Sequence, residues 1–221
     1  TFRVDMEAEI DLVEEFARIY GLDNIPAPWP HARLDAEIND RTAQALRLLR
    51  DRLVGLGLSE IINYSLVSET LLNLFGKDEA GQRIVLPRPI SMDQSILRPS
   101  LVPQMVETLG KNKSHQIDQA AFFEMGRVFS LHDNHKTEET RLAIGLMGNV
   151  GRSNMDVRTP STAEEVFLWA KGIWSQLAET QHLSPWQLAE IPLSFCEKGK
   201  AVEIRVNQKS IGWLGLLAES I

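Results

Sequence analysis

Four carboxylates near the start of the chain, Asp5, Asp11, Glu14 and Glu15, are the first residues whose chemistry is legible. Hard divalent cations take carboxylate oxygens, and Mg²⁺ commonly uses one or two carboxylates with waters filling the remaining positions. Asp11, Glu14 and Glu15 lie within one helical segment, so the chain can bring them to a shared face. A solvated acidic helix face is the competing reading. Two carboxylates about 6 Å apart in water repel by only about 0.7 kcal/mol, which a helix tolerates. Arg18 stands one turn from Glu14, and Asp11 gains from the positive end of the helix dipole. Both readings stand on the residues alone.

Other reactive side chains carry less. His132, Asp133 and His135 invite a metal reading, but no further His or Cys is near and a loop is expected there, so zinc is not expected. Ser100 sits in no recognisable nucleophile elbow, and Cys196 has no base partner in view. Arg47, Arg50 and Arg52 flank Asp51, which reads as a solvated helix face rather than a nucleic-acid patch.

These residues need elements to hold them. Ile10, Val13, Phe16, Ala17 and Tyr20 recur at helical spacing and predict a helix over 10–20, stopped at Gly21 and closed by Pro26. The run Ala27-Pro-Trp-Pro-His31 reads as a connector. A strong helix follows over 40–56, with Ala45, Leu46, Leu49, Leu53 and Leu56 inward. Residues 61–66 read as a strand and 68–75 as a short helix capped by Ser68. Residues 84–90 read as a strand broken by Pro87 and Pro89. A helix over 101–109 has Pro103 in its first turn, where the missing N–H costs little. Residues 120–129 are rich in aromatic and branched side chains and predict a strand. Alternation puts Phe123, Met125, Arg127 and Phe129 on one face and Phe122, Glu124 and Val128 on the other, with Gly126 between. A polar loop over 130–140, a strand over 141–150, a surface loop over 151–163 and a helix over 164–181 come next. A strand over 186–191 and a hairpin through 201–206 and 211–217 complete the chain. The pattern is an α+β domain with a mainly antiparallel sheet flanked by helices.

Composition sets the bounds. The chain has 221 residues, a formal net charge of −7 and one cysteine. That length allows one sizeable domain and a small piece of another. An acidic surface argues against a dominant phosphate-binding face. The apolar run 211–218 is too short to span a bilayer, so no membrane is expected. Thr1 opens without a signal-peptide pattern, and a lone cysteine suits a reducing compartment. A cytoplasmic location is expected.

Several stretches together carry a family resemblance. Leu97-Arg98-Pro99-Ser100-Leu101, followed by Phe123-Glu124-Met125-Gly126-Arg127-Val128-Phe129, resembles the class II aminoacyl-tRNA synthetase core. More closely, the chain resembles the β subunits of bacterial phenylalanyl-tRNA synthetases. Supporting stretches run from Asp11 to Pro26, from Gly55 to Tyr64 and from Phe167 to Gly172, in the family's order. The resemblance implies three segments. Residues 1–28 are the C-terminal part of a small winged-helix-like domain, 29–39 a linker, and 40–221 a catalytically silent synthetase-like core.

The same resemblance implies site roles. Asp5, Asp11, Glu14 and Glu15 match the family's Mg²⁺ ligands, a metal shared with the α subunit. The helix and strand over 40–66 resemble motif 1, which builds subunit interfaces; Gly57, Glu60 and Ile61 fit it, while Tyr64 replaces its proline. Glu124, Gly126, Arg127, Ser130 and His132 form a degenerate motif 2. Class II enzymes place an arginine where Ser130 stands and an acidic residue where His132 stands. No glycine-rich motif 3 ending in arginine occurs, since Gly212 and Gly215 lead only to Leu216 and Leu217. The family's Gly-x-Leu-His-Pro pattern is also lost at Gly215 to Glu219. No catalytic residue and no ATP- or phenylalanine-binding residue is therefore expected in this chain; both ligands are expected on the α subunit. The implied role is to scaffold α, in an assembly of two α and two β chains that aminoacylates tRNA(Phe). An active class II-type adenylate-forming ligase and a magnesium-dependent binding module are the alternatives.

Overall fold

The computed structural model describes residues 3–29, 40–76, 83–132, 135–149, 161–219 and 221. Most of the 29–39 linker, most of the 151–163 loop and Asp133 of the histidine cluster lie outside them. The chain divides into two compact units, 1–40 and 41–221.

The first unit holds α1 (Glu9–Tyr20) and a 3₁₀ turn at Leu22–Asn24. Asp11 caps its own helix: its Oδ2 accepts from the Glu7 and Ala8 amides at 2.8 and 2.7 Å. This satisfies backbone donors that a helix start leaves open. Gly21 stops the helix at φ 93°, a conformation side chains resist. Ile10, Val13, Phe16 and Tyr20 all remain exposed, with the Phe16 and Tyr20 rings stacked at 5.9 Å.

The second unit runs α2 (Arg41–Gly55), β1 (Ser59–Glu60), β2 (Leu66–Val67), α3 (Glu69–Leu74), β3 (Ile84–Val85), a 3₁₀ turn (Met92–Gln94), β4 (Ile96–Leu97), α4 (Val102–Ser114), β5 (Ala120–His132), β6 (His135–Met147), α5 (Ala163–Thr180), β7 (Trp186–Glu190), β8 (Cys196–Val206) and β9 (Lys209–Leu217). Among the described residues its strands form three three-stranded sheets, ordered β1-β5-β6, β2-β4-β3 and β7-β8-β9. Pairing is antiparallel except between β1 and β5. The expectation of one mainly antiparallel sheet is thus corrected to three small ones. Periodicity marks a strand, but the edge it pairs with depends on distant partners.

The β5–β6 hairpin positions everything else. One face carries Phe123 and Met125 from β5 with Leu142 and Ile144 from β6. These pack on Leu53 of α2 and on Ile173 and Leu177 of α5. The other face carries Ala120, Phe122 and Ala143 under Met105 and Leu109 of α4. Gly145 makes that approach possible: a Cβ there would stand 2.8 Å from both Met105 Cγ and Leu109 Cδ1. The alternation read along 120–129 is therefore the one that folds.

Several boundaries moved. The loop expected over 130–140 is instead the end of the hairpin, with Ser130 opposite Thr137 and Leu131 opposite Lys136. Backbone ladder bonds carry polar side chains as readily as apolar ones, so composition hid the strand. The helix expected to end at 109 continues to Ser114, where Ser114 and His115 bond back to the Lys111 carbonyl. The strand expected over 61–66 has no ladder partner between 61 and 64 among the described residues. Ala45, expected inward, is exposed. Ser68 caps α3 as expected, accepting from the Leu71 amide at 3.1 Å.

Candidate functional site

The acidic quartet comes first. Arg3 bridges two of its members, reaching Asp5 at 2.7 Å and Glu15 at 2.9 Å. Arg18 holds the other oxygen of Glu15 at 2.6 Å. Asp11 serves the helix start, and Glu14 is exposed. Among the described residues, no three His, Cys, Asp or Glu side chains converge on one point. Two carboxylates neutralised by arginine and one bound to backbone amides do not, in this arrangement, fit a divalent cation.

The Arg3 guanidinium, hydrogen-bonded to Asp5, holds that carboxyl at about 2, below its ordinary 3.8. Arg18, and then Arg3, lower Glu15 as well. A depressed carboxyl adds stability above its unfolded value and loses it as pH falls towards the folded one. For Asp5 that window runs from about 3.8 down to about 2. The pair is solvent-exposed, so its weight is small. Titrating Asp5 by NMR should give a midpoint near 2, and Arg3→Ala should return it towards 3.8. A wild-type midpoint already near 3.8 would show that Arg3 does not hold Asp5 in solution.

The motif 2-like residues lie along β5. Glu124 is buried and paired with buried Arg98 at 2.7 Å. Gly126 lies under the same guanidinium: a Cβ there would be 2.3 Å from Arg98 Nη2. Arg127 is exposed and paired with Glu138. Ser130 shares a hydroxyl bond of 2.6 Å with Thr137. His132 ends the ladder opposite His135, and its side chain is outside the description.

The motif 1-like residues lie at the turn from α2 into the sheet. Gly57 takes φ 86° as the chain leaves α2. Glu60 binds Arg50 at 2.8 Å. Ile61 packs on the α4 cluster, and its amide donates to the Phe123 carbonyl at 2.8 Å. Asn63 points inward: its Nδ2 donates to Glu124 Oε2 at 2.8 Å, and Thr108 donates to its Oδ1 at 3.1 Å. Extended backbone alternates its sides. Ile62 and Tyr64, flanking Asn63, therefore turn outward, 89% and 78% exposed. Leu48 and Val54 of α2 are exposed as well. The motif 1-like unit thus carries exposed apolar side chains on both its helix and the segment after it.

Asn63, Thr108 and Gln104 were missed in the sequence. A polar residue inside an apolar run, as in Ile61-Ile62-Asn63, was the only available signal. Gln104 Nε2 donates to the Tyr64 carbonyl at 2.8 Å, and its Oε1 accepts from Arg98 Nη1 at 3.2 Å.

The architecture is shared with known proteins. A pyrrolysyl tRNA synthetase from Desulfitobacterium hafniense superposes with a TM-score of 0.57 at 16% identity, over 77% of this chain and 54% of that one. A second pyrrolysyl-tRNA synthetase structure from that organism gives a TM-score of 0.53 at 14% identity, over 81% of this chain and 70% of the other. At such identity the likeness shows a shared fold and nothing more. Sequence narrows this further. Residues 25–221 match the model of the phenylalanyl tRNA synthetase beta chain CLM domain. The phenylalanine–tRNA ligase beta subunit of Syntrophus aciditrophicus is 33% identical over 97% of this chain and 27% of its own length. That of Moorella thermoacetica is 33% identical over 98% of this chain and 27% of its own length. The chain belongs to the phenylalanine–tRNA ligase beta subunit family. It spans about a quarter of the length of these relatives.

Proposed function

We propose that this chain is the catalytically silent, synthetase-like part of a phenylalanine–tRNA ligase β chain, and that it docks and scaffolds the α subunit that activates phenylalanine with ATP. The carrying observation is the exposed pair Ile62 and Tyr64 on the motif 1-like segment, in a chain whose family match runs over 25–221. An obligate interface is largely apolar and buries on the order of 2,000 Å² or more. Exposed Leu48 and Val54 extend the same unit. The silence is supported at β5. Adenylate formation needs preorganised positive charge at the phosphates. Arg98 is neutralised by Glu124, Arg127 by Glu138, and Ser130 stands where an arginine is required. An active adenylate-forming ligase is therefore the weaker reading.

In this proposal the full assembly holds two α and two β chains, acts on tRNA(Phe) and works in the cytoplasm. Among the described residues, no helix is long and apolar enough to cross a membrane. Asp5, Asp11, Glu14 and Glu15 would supply carboxylate oxygens to Mg²⁺ only in the α-bound enzyme, and only with the Arg3 pairs to Asp5 and Glu15 broken. Residues 1–28 are the end of a winged-helix-like domain, and 40–221 the core.

Two measurements test the docking reading. The purified chain should show no phenylalanine-dependent ATP–pyrophosphate exchange. Tyr64→Glu in the full β chain should weaken α binding by tenfold or more, because an interface cannot bury an unpaired carboxylate cheaply. Robust exchange, or α binding indifferent to Tyr64→Glu, sinks the proposal.

A further inference from the structure

Among the described residues, 61–64, which present Ile62 and Tyr64, have no strand partner. Backbone bonds hold only the flanks: the Ile61 amide to the Phe123 carbonyl at 2.8 Å, and the Arg98 amide to the Ser65 carbonyl at 2.9 Å. Between them the backbone is held by buried side chains. The Asn63 amide donates to Glu124 Oε1 at 3.2 Å, and the Tyr64 carbonyl accepts from Gln104 at 2.8 Å. The Leu66 carbonyl accepts from the same amide group at 3.4 Å. Arg98 joins these groups, donating Nη1 to Glu124 at 2.7 Å and to Gln104 at 3.2 Å. Its Nε donates to the Arg127 carbonyl at 2.9 Å.

We infer that Asn63, Arg98, Gln104 and Glu124 form an internal clamp that sets the register of this segment and thereby the outward aim of Ile62 and Tyr64, residues the clamp itself never touches through their side chains. The inference rests on the docking reading above. Its physical basis is the two-residue period of extended chain. A slip by one residue turns every side chain to the opposite face. Here the slip would bring Ile62 or Tyr64 inward and carry Asn63 out. Glu124 would then lose Asn63, and a buried carboxylate short of partners is expensive. A satisfied buried polar network therefore selects one register where an apolar contact would accept either. Gly126 belongs to the device, because only a residue without Cβ leaves room for the Arg98 guanidinium. The retained glycine of the motif 2-like stretch thus has a packing role here. The clamp residues are positioning residues: they act on the partner through residues 61–66.

The test uses the full β chain bound to α. Gln104→Met keeps the volume and leaves the Arg98–Glu124 pair whole, but removes the donor to the Tyr64 carbonyl. Hydrogen exchange over 61–66 should accelerate by about tenfold, the effect of one lost buried hydrogen bond, while the β5–β6 ladder keeps its protection. The dissociation rate of α should rise by a similar factor. Gln104→Glu also lacks the donor and sets a buried carboxylate against the Tyr64 carbonyl, so its rise in both readouts should exceed that of Gln104→Met. If Gln104→Met lowers protection throughout the unit, Thr108→Val, which removes only the hydroxyl on Asn63, replaces it, with a smaller rise expected in both readouts. Faster exchange with α dissociation unchanged within twofold overturns the inference, as does unchanged exchange. Tyr64→Glu run in parallel separates the two readings. If it weakens α binding and the Gln104 variants do not, docking stands and the clamp falls. If it has no effect, the docking reading itself falls.

Discussion

Phe123→Ala should cost about 3–5 kcal/mol of unfolding free energy, the range for removing a fully buried aromatic ring. Phe123 is 0% exposed at the centre of the β5–β6 hairpin. It packs among Leu53 of α2, Ile173 and Leu177 of α5, and Leu58 between α2 and β1. Those neighbours come from a helix, a second helix and a turn, none of which can close on the gap without moving the others. The cavity term should therefore stay close to full size. Leu53→Ala, at a residue also 0% exposed, should cost about 2–5 kcal/mol on the same grounds. Urea unfolding followed by tryptophan fluorescence measures both, with Trp169 packed against this cluster as reporter. A loss below about 0.5 kcal/mol for either would mean the side chain is solvated and the phase of α2 or β5 is misassigned.

Glu124→Leu should cost as much, about 3–5 kcal/mol, by a different mechanism. The carboxylate is the common acceptor for Arg98 and for the side chain and amide of Asn63. Removing it leaves a guanidinium at 4% side-chain exposure with no opposite charge. Breaking one partner of a buried pair costs more than the pair is worth, because the remaining charge stays desolvated. The double variant Arg98→Met with Glu124→Leu should recover much of the loss, since a well-packed apolar pair often matches a buried ion pair. A double-mutant cycle in urea gives the coupling directly. Equal loss for the double and the single variant would show that an uncompensated Arg98 charge is not what the single variant suffers from.

Much of this molecule was written in local chemistry. Helical periodicity located α2 and α5, Ser68 marked the start of α3, and Pro103 fell in the first turn of α4 as its missing N–H requires. The alternation over 120–129 assigned Phe123 and Met125 to one face and Phe122 and Glu124 to the other. Family membership was legible because several separated motifs recur in one order. Each of these signals spans a few residues, and backbone geometry translates it without reference to the rest of the chain.

Tertiary structure decided the remainder. Strands β5 and β6 extend through polar residues such as Ser130 and Thr137 because a ladder is made of backbone bonds with a partner, which composition does not reveal. The residues alone left the acidic quartet open between a metal site and a solvated face; in the fold Arg3, from outside the helix, bridges Asp5 and Glu15, while Asp11 caps the helix start. Residues Asn63, Gln104, Arg98 and Glu124 come from four places in the chain and meet only in the folded protein. A buried charge finds its partner through space, and sequence separation carries no information about that distance. The outward turn of Ile62 and Tyr64 follows from that meeting. The pattern of side chains specified a segment that alternates; the polar contacts beneath it chose which side of the alternation faces the solvent.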